Sequence, residues 1–497
     1  MSILGKTIQE QIRLLETKGI PEADRDPARL QFHLMPPTGW LNDPNGLCQS
    51  GGFYHVFFQY CPFDVNRGLT VWGHYRSRDL ICWEYLGAAL VPDFPGDCTS
   101  VYSGSALALE NGGIWAVYTG NVKYDGDFDY IDEGRESNTI SCVSADGVHF
   151  GNKRCLLSND DYPADCTLHV RDPKVWEEDG AYYLALGARK RRDGSQKRSW
   201  KEQDRDYGAV LLYRSEDRIR WSFVKEISSR QPFGYMWECP DLFRVEDRWV
   251  LSLSPQGLTR GAFRYQNVYQ SGYFLTESRT LPDFVQEEQF REWDMGFDFY
   301  APQTFEDESG RRILIGWIGM PDSEKEYRNP TTEYGWQHAL TVPRQILPGE
   351  NGLRQRPVEE LERLRGSMRI IEDGRETAVP GRIFDLEVDE IENRPFHMRV
   401  AGELTLQYSD GVFLVGFSGA EAGRRLGGGR TARRARIGKL FSVRVLADTS
   451  VLEIYLNGGE TVFTTRYYPE EAPVLKIACP GSRKRLWEMR SMTVKFV

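Results

Sequence analysis

Five apolar segments, each opening from turn-like polar or glycine residues, recur along the chain: GGFYHVFFQY from Gly51, GGIWAVYTG from Gly112, DGAYYLALG from Asp179, EDRWVLSLS from Glu246 and GRRILIGWIG from Gly310. Successive starts lie 61, 67, 67 and 64 residues apart. So steady an interval marks a repeat, and a β-rich repeat of this size matches one blade of a propeller. Five repeats imply five blades. A second echo, SxDxxx[WF], appears in SRDLICW (Ser77–Trp83), SADGVHF (Ser144–Phe150) and SEDRIRW (Ser215–Trp221), each placed for a turn into an outer strand. An aromatic content of 12% with 48 glycines suits twisted sheets and tight turns better than packed helices.

The flanks read differently. Ile8, Ile12 and Leu15 recur at helical spacing, and Gly19 with Pro21 supplies a stop, which predicts a short amphipathic helix within residues 1–28. The repeats occupy 29–350. RPVEELERLRG then offers Pro357 as a first helical residue, Leu361 and Leu364 on one face and Gly366 as a stop, a linker helix within 351–368. Beyond it, ELTLQYSDGVFLVGF turns at Asp410-Gly411 and SVLEIYLNGGETVFTTRYY at Asn457-Gly458, hairpins that predict a β-sandwich over 369–497. The expected fold is all-β: a five-bladed β-propeller followed by a C-terminal β-sandwich, with a short N-terminal helix.

In a propeller the innermost strand of each blade lines a central channel, so equivalent positions of successive repeats form a ring at one mouth. Upstream of the five apolar segments stand NDPNG, YSGS, RDPK, ECPD and FYAPQTF. Three carry an acid, which predicts that Asp43, Asp172 and Glu238 converge. A carboxyl pair astride a glycosidic bond supplies a proton to the leaving oxygen and an anion to the oxocarbenium-like centre. Like charges at close range raise at least one pKa and keep an acid neutral near pH 7. Arg171 favours an ionised Asp172 if their side chains meet, making Asp172 a stabilising anion and a poor proton donor. Singly these motifs are weak: NDPNG alone is ordinary turn chemistry, RDP is a common tripeptide, and Glu238 beside Cys239 proves nothing. Their shared place in the repeat argues for a site.

A net charge of -10 with pI near 5.5 argues against nucleic acid and anionic membrane as main partners, since both need a basic face, and points to a small-molecule substrate. The first residues lack a signal-peptide pattern and no long apolar run appears, so a cytoplasmic protein is expected. The nine cysteines lack CxxC spacing and read as reduced thiols, and the seven histidines lack HxH or HExxH pairing, which argues against a metal. His33 and His74 read as structural. Trp40, Trp72, Trp317 and Trp336 suit blade packing, with Trp72 in VWGH the best placed for a sugar platform. The basic run RKRRDGSQKRSWKEQDRD, 189–206, is either a solvated hairpin loop or, at Arg189, Lys190, Arg191 and Arg192, a reader of a sugar phosphate.

The series FHLMPPTGWLNDPNG, WGH, YSGS, RDPK, ECPDLF, DFYAPQTF, GWQHALTVPR and LRQRPVEEL resembles glycoside hydrolase family 32, the invertase, inulinase and sucrose-6-phosphate hydrolase group. The resemblance covers nearly the whole chain and implies the same propeller and sandwich. It implies that Asp43 is the nucleophile, Glu238 the general acid/base and Asp172 the transition-state stabiliser, with Asn42, Gln59, Trp72, Ser103, Arg171 and, more weakly, Trp317 lining a fructose pocket. Tyr102 stands where Phe or Trp is common, and LGGGRTARRARIG replaces a segment that usually contains Asp and Ser, leaving the sandwich a structural role. The implied reaction is retaining hydrolysis of terminal β-D-fructofuranosides, with no cofactor. The rivals are a fructosyltransferase on the same scaffold, a sialidase suggested by SxDxxxW, and a non-catalytic carbohydrate-binding propeller.

Overall fold

The computed structural model describes residues 2–192, 206–276 and 280–497. Each repeated apolar segment is a strand paired antiparallel with the strand that leads its sheet: Phe53–Cys61, Ile114–Lys123, Ala181–Lys190, Arg248–Gln256 and Arg312–Ile318. The polar motif upstream lies within the strand that leads the sheet: Gly39–Ser50, Ser100–Ala108, Cys166–Glu178, Met236–Val245 or Tyr300–Glu306. NDPNG is therefore strand and not turn. Pro44 is tolerated because its lead strand is an edge there, and an edge residue needs no second ladder partner.

The lead strands pack in a closed cycle, each against the next and the fifth against the first. Buried polar groups staple them. Asn45 Oδ1 accepts from Gly104 N at 3.3 Å, and the Ser105 hydroxyl donates to Pro173 O at 2.8 Å and accepts from Val175 N at 2.9 Å. Lys174 pairs with Asp241 at 3.1 Å, Asp241 accepts from Thr304 N at 2.6 Å, and Gln303 Nε2 donates to Gly104 O at 3.0 Å. These bonds offset the cost of burying polar side chains at the centre of the sheets. The SxDxxx[WF] segments join third and fourth strands, and Asp79, Asp146 and Asp217 accept backbone N–H groups of their own turns.

At the N-terminus the helix Ile3–Ala23 runs through both Gly19 and Pro21. Gly19 marks a close packing contact, not an end: a Cβ there would lie 2.6 Å from Thr38 Oγ1. The packed face carries Ile12 and Glu16 while Leu15 is exposed, because Glu16 reaches inward to the hydroxyls of Tyr60 (3.0 Å) and Tyr85 (2.5 Å). The linker also differs from expectation. Gly352–Pro357 pairs with Arg344–Gly349 and completes the fifth sheet, so Pro357 ends a strand. Only Glu359–Leu364 is helical, a 3-10 segment burying Leu361 and Leu364, and Gly366 lies in the strand after it. Two six-stranded antiparallel sheets follow and share one apolar core. The last strand, Thr493–Phe496, returns to pair in parallel with Cys82–Leu90 of the first sheet.

A buried ionic seam joins this C-terminal unit to the five sheets. Arg344 contacts Glu453 at 2.6 Å and Asp294 at 3.2 Å, and Arg430, from the LGGGRTARRARIG segment, grips Asp298 at 2.6 Å. His33 stands between Asp448 (2.7 Å) and Glu453 (2.9 Å). Burial alone would lower the His33 pKa, but the two carboxylates more than reverse this and raise it to about 9. With the folded value above the unfolded one, this contribution is complete below about pH 6.5 and is lost as pH rises through about 9. Melting curves should show the widest stability gap between wild type and His33→Asn at pH 6, of a few kcal/mol, narrowing as pH approaches 10. A gap constant across that range would mean a neutral imidazole.

Candidate active site

In all five sheets the pairing of lead and second strand slips at the same register. Two lead-strand residues oppose one partner at Asn42-Asp43, Tyr102-Ser103, Asp172-Pro173, Cys239-Pro240 and Ala301-Pro302. A bulge of this kind bends the strand and re-aims its side chains. Three bulged residues, Asp172, Cys239 and Ala301, hold positive φ of 60°, 47° and 46°, a conformation that non-glycine residues adopt at a cost. Gly104 stands where four of the motifs carry proline, because a Cβ there would lie 2.1 Å from Val117 O.

The bulges bring the acids together. Asp43 Oδ2 accepts from Ser103 Oγ at 2.5 Å, and Gln59 Nε2 donates to that same hydroxyl. Asn42 Nδ2 donates to Asp43 Oδ1 at 3.1 Å and is itself held by Trp40 Nε1 at 2.9 Å. Asp172 accepts from Cys239 N at 3.0 Å, and the Cys239 thiol lies 3.7 Å from Asp172 Oδ2 and 3.9 Å from Asp43 Oδ2, bridging the two carboxylates. Glu238 accepts from Arg171 Nη2 (2.7 Å), Gln256 Nε2 (2.7 Å) and the Tyr300 hydroxyl (2.6 Å).

Burial pushes Asp43 above the ordinary carboxylate range, against the pull of Ser103 and Asn42 and with the Glu238 charge adding to the rise. Burial likewise raises Asp172, to about 7; Arg171 opposes this, while Glu238 and Asp43 reinforce it. Arg171 favours the ionised Asp172 as expected, but burial and the two neighbouring acids outweigh it. The guanidinium gives Nε and Nη2 to Glu238 Oε1 and stays 3.9 Å from Asp172. Arg171 is oriented by His169, whose Nδ1 accepts from Nη1 at 2.8 Å. Burial and the neighbouring arginine charges hold that imidazole neutral.

Of the residues expected from sequence, Asp43, Asp172, Glu238, Asn42, Gln59, Ser103 and Arg171 form one bonded cluster. Trp72 lies behind it: fully buried, it donates Nε1 to Tyr102 O at 2.9 Å and packs on Phe57, so it shapes the wall without offering a face. Trp317 is also buried, edge-on to Trp40 and Tyr300. Arg189, Lys190 and Arg191 are engaged by Asp206 (2.8 Å), by Asp165 (3.0 Å) with Glu226, and by Asp132, so they are not free to read a phosphate. Arg192 is exposed, and the rest of that run, 193–205, lies outside the described residues. Sequence reasoning missed Tyr300, Gln256, Cys239 and His169. Tyr300 and Cys239 stand in the fourth and fifth motifs, and aligning all five residue by residue, not acid by acid, finds them. Among the described residues no group of three His, Cys, Asp or Glu side chains is arranged to hold a metal ion.

Residues 33–357 match the glycosyl hydrolases family 32 N-terminal domain, and residues 392–479 match the family's C-terminal domain. A sucrose-6-phosphate hydrolase of Bacillus subtilis (strain 168) is 38% identical over 462 residues, spanning 90% of this chain and 91% of that protein. Among solved structures, sucrose-6-phosphate hydrolase from Lactobacillus gasseri superposes with a TM-score of 0.84 at 26% identity, covering 97% of each chain. A Bombyx mori GH32 β-fructofuranosidase gives 0.82 at 29% identity, over 98% of this chain and 99% of that one. A mutant of the Bombyx mori enzyme has been solved in complex with sucrose.

The raised Asp172 carries a stability cost with a definite pH signature. Its folded pKa of about 7 exceeds the unfolded value, so the cost is absent in strong acid, grows from about pH 4 and is complete above pH 7. Asp172→Asn should therefore raise Tm by on the order of 2 °C at pH 7.5 and by clearly less at pH 5. An Asn variant that melts lower at both pH values would contradict this.

Proposed function

The chain belongs to glycoside hydrolase family 32, and on that premise we propose a division of labour among its acids. The protein is a β-fructofuranosidase that hydrolyses sucrose-type substrates. The five sheets, with lead strands in a closed cycle, are read as the blades of a five-bladed β-propeller, and the two six-stranded sheets as its β-sandwich. The observation that supports the site reading best is the bonded cluster of Asp43, Asp172 and Glu238, three acids from three lead strands that lie at or next to the bulges.

Glu238 gives a proton to the glycosidic oxygen as Asp43 attacks C2 of the terminal fructose, forming a fructosyl-enzyme. Ser103 and Gln59 hold the Asp43 carboxyl at a fixed angle, which removes orientational freedom before attack. Asp172 faces the same centre, accepts hydrogen bonds from fructose hydroxyls, and stabilises the positive charge that develops there. Glu238 then takes a proton from water, which attacks C2 and releases fructose with retained configuration. Arg171, Gln256 and Tyr300 hold Glu238 in line for both transfers. The substrates are sucrose, its 6-phosphate or short fructo-oligosaccharides. A charged sugar phosphate is retained by a bilayer, so the sucrose-6-phosphate hydrolase relatives support a cytoplasmic enzyme.

Asp43→Ala and Glu238→Ala should each lower kcat/KM on sucrose by about a thousandfold or more while leaving Tm close to wild type. NMR of the first turnovers should show β-fructofuranose before mutarotation. Wild-type-like rates in either folded variant, or α-fructofuranose as first product, would overturn the assignment.

A further inference from the structure

The mechanism leaves one cation at the channel mouth without a task. Arg135 opens the strand Arg135–Ser144 of the second sheet, and its guanidinium lies beyond the Arg171–His169 pair. The Nε2 of His169 stands 3.0 Å from Tyr130 O and 3.1 Å from Arg135 Nη1. With Nδ1 accepting from Arg171, the neutral ring carries its hydrogen on Nε2 and gives it to Tyr130, so the approach of Arg135 supplies that arginine with no acceptor. Its Nε is buried without a hydrogen-bond partner, and among the described residues no carboxylate stands within ion-pair distance of it. Burial and the charges of Arg171 and Arg67 weaken its hold on its proton, although Tyr102 and Tyr130 oppose this.

Arg67 adds a second cation from the turn between Phe53–Cys61 and Val71–Ser77. It is exposed, and its charge is felt at both Asp43 and Arg135. Three acids around Arg135 are engaged elsewhere. Asp129 accepts from the backbone N–H groups of Ile131 and Asp132 at 2.8 and 2.9 Å, Asp132 is taken by Arg191, and Glu136 by Tyr124 and Asn138. Arg135 and Arg67 thus lie close enough to feel one another's charge, Arg67 also acts on Asp43, and among the described residues no carboxylate pairs with Arg135.

We propose that Arg135 and Arg67 form a phosphate-monoester subsite that reads a phosphate carried by the leaving-group sugar. The inference rests on the β-fructofuranosidase reading, in which the glycosidic oxygen meets Glu238. From Glu238 the cations run outward as Arg171 and then, one imidazole's width further, Arg135. A hexose whose glycosidic oxygen is at Glu238 and whose primary hydroxyl is phosphorylated spans a comparable distance across its ring. The guanidinium fork suits a phosphate's paired oxygens, and a dianion relieves the repulsion between the two arginines. Sucrose 6-phosphate, with the phosphate on its glucosyl unit, has this form.

The test measures kcat/KM for sucrose and sucrose 6-phosphate in wild type, Arg135→Gln and Arg67→Gln, with inhibition of sucrose hydrolysis by glucose and glucose 6-phosphate. Wild type should prefer the phosphorylated substrate, and glucose 6-phosphate should inhibit more tightly than glucose. Arg135→Gln should cut the preference by about ten- to a hundredfold, and Arg67→Gln by less. Equal inhibition by the two products in wild type would overturn the proposal. So would equal losses on both substrates in Arg135→Gln, the signature of a residue that only props His169 and Arg171. If Arg135→Gln does not fold, Arg67→Gln and the wild-type inhibition comparison still decide. Hydrolysis of neither sugar would strike the parent reading instead, and the thermal shift given by glucose 6-phosphate against glucose would still report on the subsite.

Discussion

An antiparallel ladder points alternate side chains to opposite faces and gives none of them freedom to lean along its edge. Three acids from three sheets meet where the lead strands abandon regular pairing, Asp43 and Asp172 within the bulges and Glu238 just before one. All five strands do so at one register, with two residues opposing one, and the chain accepts left-handed backbone at Asp172, Cys239 and Ala301 to achieve it. The staples beneath, from Asn45 to Gly104, Ser105 to Pro173, Lys174 to Asp241 and Asp241 to Thr304, lock the strands against one another. The bulges therefore sit on a rigid floor, and their geometry becomes a property of the whole cycle of sheets.

Rigidity alone would leave three carboxyl groups, one buried and two half-buried, repelling one another. The Arg171 guanidinium serves the cluster directly, and it contacts Glu238 more closely than Asp172. The remaining compensation comes from neutral donors: Ser103 and Asn42 on Asp43, the Cys239 amide on Asp172, Gln256 and Tyr300 on Glu238. Burial and the two adjacent aspartates hold the Cys239 thiol protonated, so it adds no charge between them. Asp43 and Asp172 stay above their ordinary range, the state expected of a site built for reactivity at some cost in stability.

Much of this was legible in the chain. The interval between apolar segments located the five second strands, and the upstream motifs located the acids. Asp410-Gly411 and Asn457-Gly458 marked hairpin turns correctly because both residues of each pair adopt positive φ, which asparagine, aspartate and glycine tolerate. Other features were hidden for physical reasons. NDPNG reads as a turn because proline and asparagine are turn residues, yet a bulged edge strand tolerates the same chemistry. The helix face was misjudged at Leu15 because two tyrosines, Tyr60 and Tyr85, make Glu16 the better buried residue. The run from Arg189 looks like a phosphate site in sequence, where Asp132, Asp165, Asp206 and Glu226 cannot be seen beside it. Arg135 looks unremarkable there, since what distinguishes it is the absence of such partners among the described residues.

The central claim is that Asp43 becomes covalently bound to fructose while Glu238 handles the proton. It is tested most directly in Glu238→Gln with β-fructofuranosyl fluoride, whose leaving group needs no proton, so that the first step proceeds and the second, lacking its base, stalls. Acid quench, digestion and mass spectrometry should find one anhydrofructose unit on the peptide containing Asp43. An adduct on any other residue, or fluoride release with no adduct and an inverted product, would contradict the account.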